Sequence, residues 1–137
     1  MNAIVRGITR GLSTAVCIML LSACASTTST NSLLEERAKA RWEKLLSGDL
    51  AGAYAYLSPG FRSSVSSMDY QRSILMKKVR WTGADYKGSE CEEATCKVKF
   101  LVYFSVAGAV PGVKTFDGEQ GIEESWLLVD GQWYLVP

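Results

Sequence analysis

The stretch Glu123-Glu124-Ser125-Trp126-Leu127-Leu128-Val129-Asp130-Gly131-Gln132-Trp133-Tyr134-Leu135-Val136 decides the fold. Two apolar runs flank Asp130-Gly131, a dipeptide suited to the two positive-φ positions of a type I′ turn. Such a turn sets the register: Val129 opposes Gln132, Leu128 opposes Trp133, Leu127 opposes Tyr134 and Trp126 opposes Leu135. Side chains alternate across a strand, so Trp126, Leu128, Trp133 and Leu135 share one face, which the pattern assigns to the core. Upstream, Cys96 to Val106 repeats the period of two. Val98, Phe100, Val102 and Phe104 share one face, and Lys97, Lys99, Leu101, Tyr103 and Ser105 share the other. Between these strands the segment 107–121 holds four Gly and one Pro and is expected to be partly strand and partly loop. The extended pattern begins near Trp81.

Before Trp81 the period is helical. Leu34, Ala38, Trp42, Leu45 and Leu46 fall on one helix face, with Glu35, Glu36, Arg37, Lys39, Arg41 and Lys44 largely on the other. Ser32 and Glu35 match a capping box, and Gly48 ends the helix. Asp49 is placed to cap a second helix carrying Leu50, Ala53, Tyr54 and Leu57, although a carboxylate there also suits a catalytic acid. Ser58-Pro59-Gly60 breaks the chain. A third helix is expected from Ser66 or Ser67, with Ile74 and Leu75 inward and Lys77, Lys78 and Arg80 at its end. Helices first and an antiparallel sheet last predict an α+β domain: three N-terminal helices packed on a sheet of about four strands.

The remaining composition narrows function. The chain has 137 residues, a formal charge of +1 and no histidine. One domain is expected. Nucleic acid is not an expected partner, because there is no basic excess. The commonest general base and metal ligand is missing. No glycine-rich phosphate loop or nucleophile elbow appears, so neither a cofactor nor a metal is expected.

The N-terminus reads as an address. Arg6 and Arg10 precede an uncharged, largely apolar run from Gly11 to Ala23, a secretory signal pattern that falls short of the roughly 20 apolar residues of a membrane span. Leu21-Ser22-Ala23-Cys24 resembles the bacterial lipobox, which implies cleavage after Ala23 and lipidation of Cys24; a plain secretory signal is the alternative. Ala25, not Asp, follows the cysteine, a pattern resembling release to the outer membrane in a diderm host. The expected division is a signal peptide at 1–23, lipidated Cys24 with a Ser/Thr-rich flexible linker at 24–32, and a folded domain at 33–137. Its first expected partner is therefore the membrane that takes up the lipid.

In an oxidising compartment Cys91 and Cys96 form an even pair across a short hairpin loop, and a disulfide is expected. Glu90, Glu92 and Glu93 disfavour a reactive thiolate there. Two thiols without histidine fill only half of a zinc shell.

Arg41-Trp42 through Leu45, Gly48-Asp49, Ala53-Tyr54, Leu57-Ser58-Pro59, Trp126 and Asp130-Gly131-Gln132-Trp133-Tyr134 together resemble the nuclear-transport-factor-2-like (SnoaL-like, cystatin-like) superfamily. The resemblance implies that the sheet is curved, a cone wrapped on the first helix, with a pocket at its mouth. It implies no single function, since the superfamily includes isomerases and dehydratases alongside catalytically inert binding and assembly domains. Tyr54, Trp81, Glu124 and Trp126 are the candidate pocket residues. Glu124 is the one candidate base; the competing reading puts it at a frayed strand end against a surface cation. On the opposite sheet face Leu101, Tyr103, Leu127 and Tyr134 suggest an interface for a homodimer or an envelope protein, unless the charges beside them keep that face solvated. The leading expectation is a periplasm-facing lipoprotein acting by binding or scaffolding. A Glu124 enzyme and a subunit of a secretion or conjugation assembly are the alternatives.

Overall fold

The computed structural model describes residues 23–108 and 111–137. The signal segment up to Ser22 therefore lies outside the described residues. Four helices precede four strands: α1 Ala23–Leu46, α2 Leu50–Tyr54, α3 Pro59–Ser64, α4 Ser67–Leu75, β1 Val79–Glu92, β2 Thr95–Ala107, β3 Thr115–Val129 and β4 Gln132–Val136. The strands form one antiparallel meander in sequence order, so the class is α+β. No helix of the described residues is long and apolar enough to cross a membrane.

The last hairpin has the register expected from Asp130-Gly131. Val129 pairs with Gln132, Leu128 with Trp133, Leu127 with Tyr134 and Trp126 with Leu135. Asp130 at φ 49° and Gly131 at φ 78° supply the two left-handed positions of the turn. The glycine-rich segment resolves mostly into strand, since β3 starts at Thr115. Register shifts in β1 between Trp81 and Gly83 and between Tyr86 and Gly88 place bulges that bend and twist that strand.

The core lies between α1, α2 and one sheet face. Leu34, Ala38, Trp42 and Leu45 from α1 meet Val98, Phe100, Val102, Trp126, Trp133 and Leu135, all buried. Trp42 is the hub: its ring lies 5.7 Å from Trp81 in a T-shaped contact and 5.9 Å from Phe100.

Several local expectations change. The helix of Leu34 starts at Ala23, so Ser32 is inside it and makes no N-terminal capping box, and the stretch read as a linker is helical. No Gly or Pro interrupts 24–32, and a helix seeded by the packed turns after Leu34 extends backward through it. Among the described residues there are four helices, not three. Ser58-Pro59 starts a helix where the sequence suggested a break: the Ser58 hydroxyl accepts from the Phe61 N–H, and Pro59 fills the first turn, where its missing N–H costs nothing. Asp49 does cap α2, accepting from Gly52 N–H at 2.8 Å. On α4 the buried residue is Tyr70, while Leu75 is 74% exposed because it ends the helix beyond the packed turn.

The sheet edges are finished unevenly. Ser58 N–H donates to Leu135 O and Leu135 N–H to Tyr56 O, each at 2.8 Å, so the segment through Leu57 covers the outer side of β4. β4 itself pairs only with Ser125–Val129, so Thr115–Glu124 of β3 has no strand on that side among the described residues.

Candidate functional site

β3 carries Glu124 on the core face, two residues before Trp126 and opposite Val98. α1 crosses this face and brings Arg41 down onto it. The Arg41 Nη1 lies 2.8 Å from Glu124 Oε1, and both side chains are buried. The Trp126 indole N–H donates to Oε2 at 3.0 Å. Burial pushes the Glu124 carboxyl above its ordinary range, against the opposing pull of Arg41 and the Trp126 hydrogen bond. Glu124 is thus neither at a frayed end nor beside a surface cation. It is a core carboxylate with both oxygens engaged.

The four candidate pocket residues do not surround one cavity. Trp126 touches Glu124 directly, whereas Trp81 stacks on the far partner, Trp42. Tyr54 is committed elsewhere: its hydroxyl donates to Val65 O at 2.7 Å, and its ring stacks on Tyr70 at 5.6 Å. Two clefts flank α1 instead. One of about 290 Å³ lies against the β3–β4 turn, with Leu33, Arg37, Tyr56 and Gln132 in its walls. The other, about 400 Å³, lies against β1, with Lys39, Trp42 and Tyr86 in its walls. Neither is lined by Tyr54, Trp81, Glu124 or Trp126.

The interface candidates also separate. Leu101 pairs with Gly121 and Leu127 with Thr95, six residues apart along β2, which is roughly 20 Å. Charged pairs occupy the gap: Lys97 with Glu123 at 3.5 Å and Lys99 with Glu90 at 2.6 Å. Tyr103 donates to Asp85 at 3.0 Å. Tyr134 lies under two guanidinium groups, those of Arg37 and Arg62. These four residues form two small patches and no continuous stripe.

At the opposite end of the sheet from the β2–β3 connection, Cys91 and Cys96 are direct partners in the β1–β2 register and form a disulfide. The connection is tighter than the expected four-residue loop, because β1 runs to Glu92 and β2 resumes at Thr95. Cys24 falls within the first turn of α1, and nothing is described of its side chain. No group of three or more His, Cys, Asp or Glu suited to a metal occurs among the described residues.

Sequence reasoning missed two groups, Arg41 and the Arg37 cluster. Arg41 carried a signal: it stands seven residues after Leu34, within the buried stripe, and not on the solvent face where its charge suggested. Arg37 carried none, because its partners come from three separate segments.

No family model matches the chain, and no curated protein sequence matches it. Solved structures do resemble it. The solution structure of a SEC-C motif containing protein from Rhodopseudomonas palustris aligns with a TM-score of 0.60 at 14% identity, covering 82% of each chain. A Campylobacter jejuni protein described as an NTF2-like transpeptidase aligns with a TM-score of 0.50 at 14% identity, covering 75% of this chain and 96% of that one. At such identities the likeness speaks for architecture alone, and with the helix-on-meander topology above it shows that this chain has an NTF2-like fold.

Proposed function

We propose that the chain is an envelope lipoprotein, held through lipidated Cys24 at the periplasmic side of the outer membrane, whose NTF2-like domain works as a non-catalytic binding or scaffold unit. The observation that carries the non-catalytic part is the state of Glu124. Its oxygens are taken by Arg41 and Trp126 under α1, and neither cleft reaches it. A general base must lie within hydrogen-bond reach of the proton it removes, and these oxygens, though each keeps a lone pair, are buried away from both clefts. The Cys91–Cys96 disulfide favours an oxidising compartment, and the lipobox-like Leu21-Ser22-Ala23-Cys24 supplies the anchor.

Metabolic labelling with palmitate tests the anchor. Label is expected on the wild-type chain and not on Cys24→Ser, with globomycin blocking maturation. Crosslinking of the lipidated chain in intact cells is expected to recover an envelope protein or a second copy, and Glu124→Gln is expected to leave that adduct unchanged. An unprocessed, unlabelled chain in the cytosol with Cys91 and Cys96 reduced overturns the proposal.

A further inference from the structure

Arg37 lines the cleft beside the β3–β4 turn, and both it and Arg62 lie near the Tyr134 ring. The Arg37 guanidinium carbon lies 4.6 Å from the Tyr56 ring centre and 5.4 Å from that of Tyr134, so the group is packed against two aromatic rings. The Arg62 guanidinium carbon lies 5.7 Å from Tyr134. Arg37 Nε donates to the Trp133 carbonyl, which leaves its two terminal nitrogens directed away from the backbone. With the Gln132 amide turned so that its carbonyl faces Arg37, that oxygen accepts from Nη1 at 2.9 Å and from Nη2 at 2.6 Å.

Two cations therefore share the Tyr134 ring, and neither has a carboxylate within ion-pair distance among the described residues. The Arg62 Nε is buried without any acceptor. Burial holds the Arg37 group below its ordinary value; the two tyrosines oppose this, and the nearby Arg62 charge adds to it. A neutral amide oxygen occupies the fork, where a carboxylate would add the attraction of opposite charges. Gln132 is exposed at the first position of β4, so a ligand reaching the fork from solvent meets it first.

We propose that this cleft binds a small organic carboxylate, seated in the Arg37 fork in place of the Gln132 amide, with the charge of Arg62 on the neighbouring Tyr134 ring adding attraction from outside the cleft and the ligand's apolar part against Leu33, Ala40 and Trp133. The planar two-nitrogen fork matches a carboxylate. The apolar wall gives no favourable contact to a bare inorganic ion. Glu36 also lines the cleft, so a second negative charge on the ligand is repelled and a monoanion is preferred over a dianionic phosphate. The site rests on these side chains and not on Cys24, so a chain that proves unlipidated leaves it intact.

Isothermal titration of the full-length chain in detergent micelles tests this with N-acetyl-leucine, its carboxamide, and inorganic phosphate. N-acetyl-leucine is expected to bind with a dissociation constant of about 1 mM or tighter, phosphate about tenfold more weakly, and the carboxamide not at all. Arg37→Lys keeps the charge but loses the fork and is expected to weaken binding about tenfold; Arg62→Gln weakens it by a smaller factor. Gln132→Glu places a carboxylate from the chain itself in the fork. It is expected to abolish binding while raising the melting temperature, so the loss is not one of folding. Absence of N-acetyl-leucine binding at about 10 mM, equal binding of the carboxamide, tighter binding of phosphate, or a Gln132→Glu chain that still binds would each overturn the assignment.

Discussion

Replacing Arg41 and Glu124 together with apolar residues, Arg41→Met and Glu124→Leu, is expected to leave stability nearly unchanged, while either change alone is severe. The pair stands at 2.8 Å with side-chain exposures of 10% and 8%. At an effective dielectric of about 20 and a charge separation of about 4 Å the attraction is about 4 kcal/mol. Taking two ions out of water costs several kcal/mol each, and the upward displacement of the Glu124 carboxyl by burial shows desolvation outweighing the attraction. Arg41 Nε is also buried without an acceptor, which adds to the cost. Either single change strands a buried charge and is expected to destabilise by about 3–5 kcal/mol. Additive behaviour would put the double variant about 6–10 kcal/mol down, close to the whole stability of an ordinary domain. The double change removes both desolvation costs but leaves the Trp126 indole N–H without its acceptor, about 1–3 kcal/mol, so the net falls near zero. Urea denaturation of all four chains, followed by tryptophan fluorescence and far-ultraviolet circular dichroism, measures the coupling. A double variant that loses the sum of the two single losses would refute the reasoning. The pH dependence gives a second readout. Because the folded-state pKa of Glu124 is raised, its contribution is fully present below the ordinary glutamate range and is lost as pH rises through the shifted value; the double variant lacks this component.

Three further outcomes are expected. Removing the disulfide by Cys91→Ala with Cys96→Ala costs about 2 kcal/mol for a loop of this length, read as a lower urea midpoint in oxidising buffer; an unchanged midpoint would show that the hairpin persists in the unfolded chain. Gly131→Ala forces a side chain into a left-handed position at φ 78° and costs about 1 kcal/mol, measured by thermal denaturation. Asp49 is held below the ordinary aspartate range first by the Lys44 ammonium and then by the Gly52 N–H. Its stabilising contribution is present above the unfolded pKa and disappears as pH falls through the depressed one. Asp49→Asn is therefore expected to flatten the acid limb of a melting-temperature profile, and an identical limb would count against the cap.

The sheet was legible because its determinants are local. Asp130-Gly131 dictates a turn, the turn dictates register, and the register dictates which of Trp126, Leu127 and Leu128 turn inward. Asp49 was legible for the same reason. The α3 helix was not: Ser-Pro reads equally as an interruption and as a helix start, and packing of Phe61 against the core decides between them. The buried pair was half legible. Glu124 could be placed on the core face from the hairpin alone, but its partner comes from 83 residues upstream, and no local rule joins them. The pocket imagined around Tyr54, Trp81, Glu124 and Trp126 failed because shared strand parity places side chains on a face without saying whether the space above it is empty. Here Trp42 occupies part of the space over the face, packed on Trp81 and Phe100.

The short reach of β4 has a colloidal consequence. Ten residues of β3, Thr115 to Glu124, present backbone donors and acceptors along a flank that no neighbouring strand occupies. Such a flank templates fibrillar stacking unless charge discourages it. Asp117, Glu119 and Glu123 recur on the outward parity of that same flank, so two copies approaching edge to edge bring like charges together. Shelf life in concentrated solution then depends on ionic strength: brine, by screening those carboxylates, shortens it.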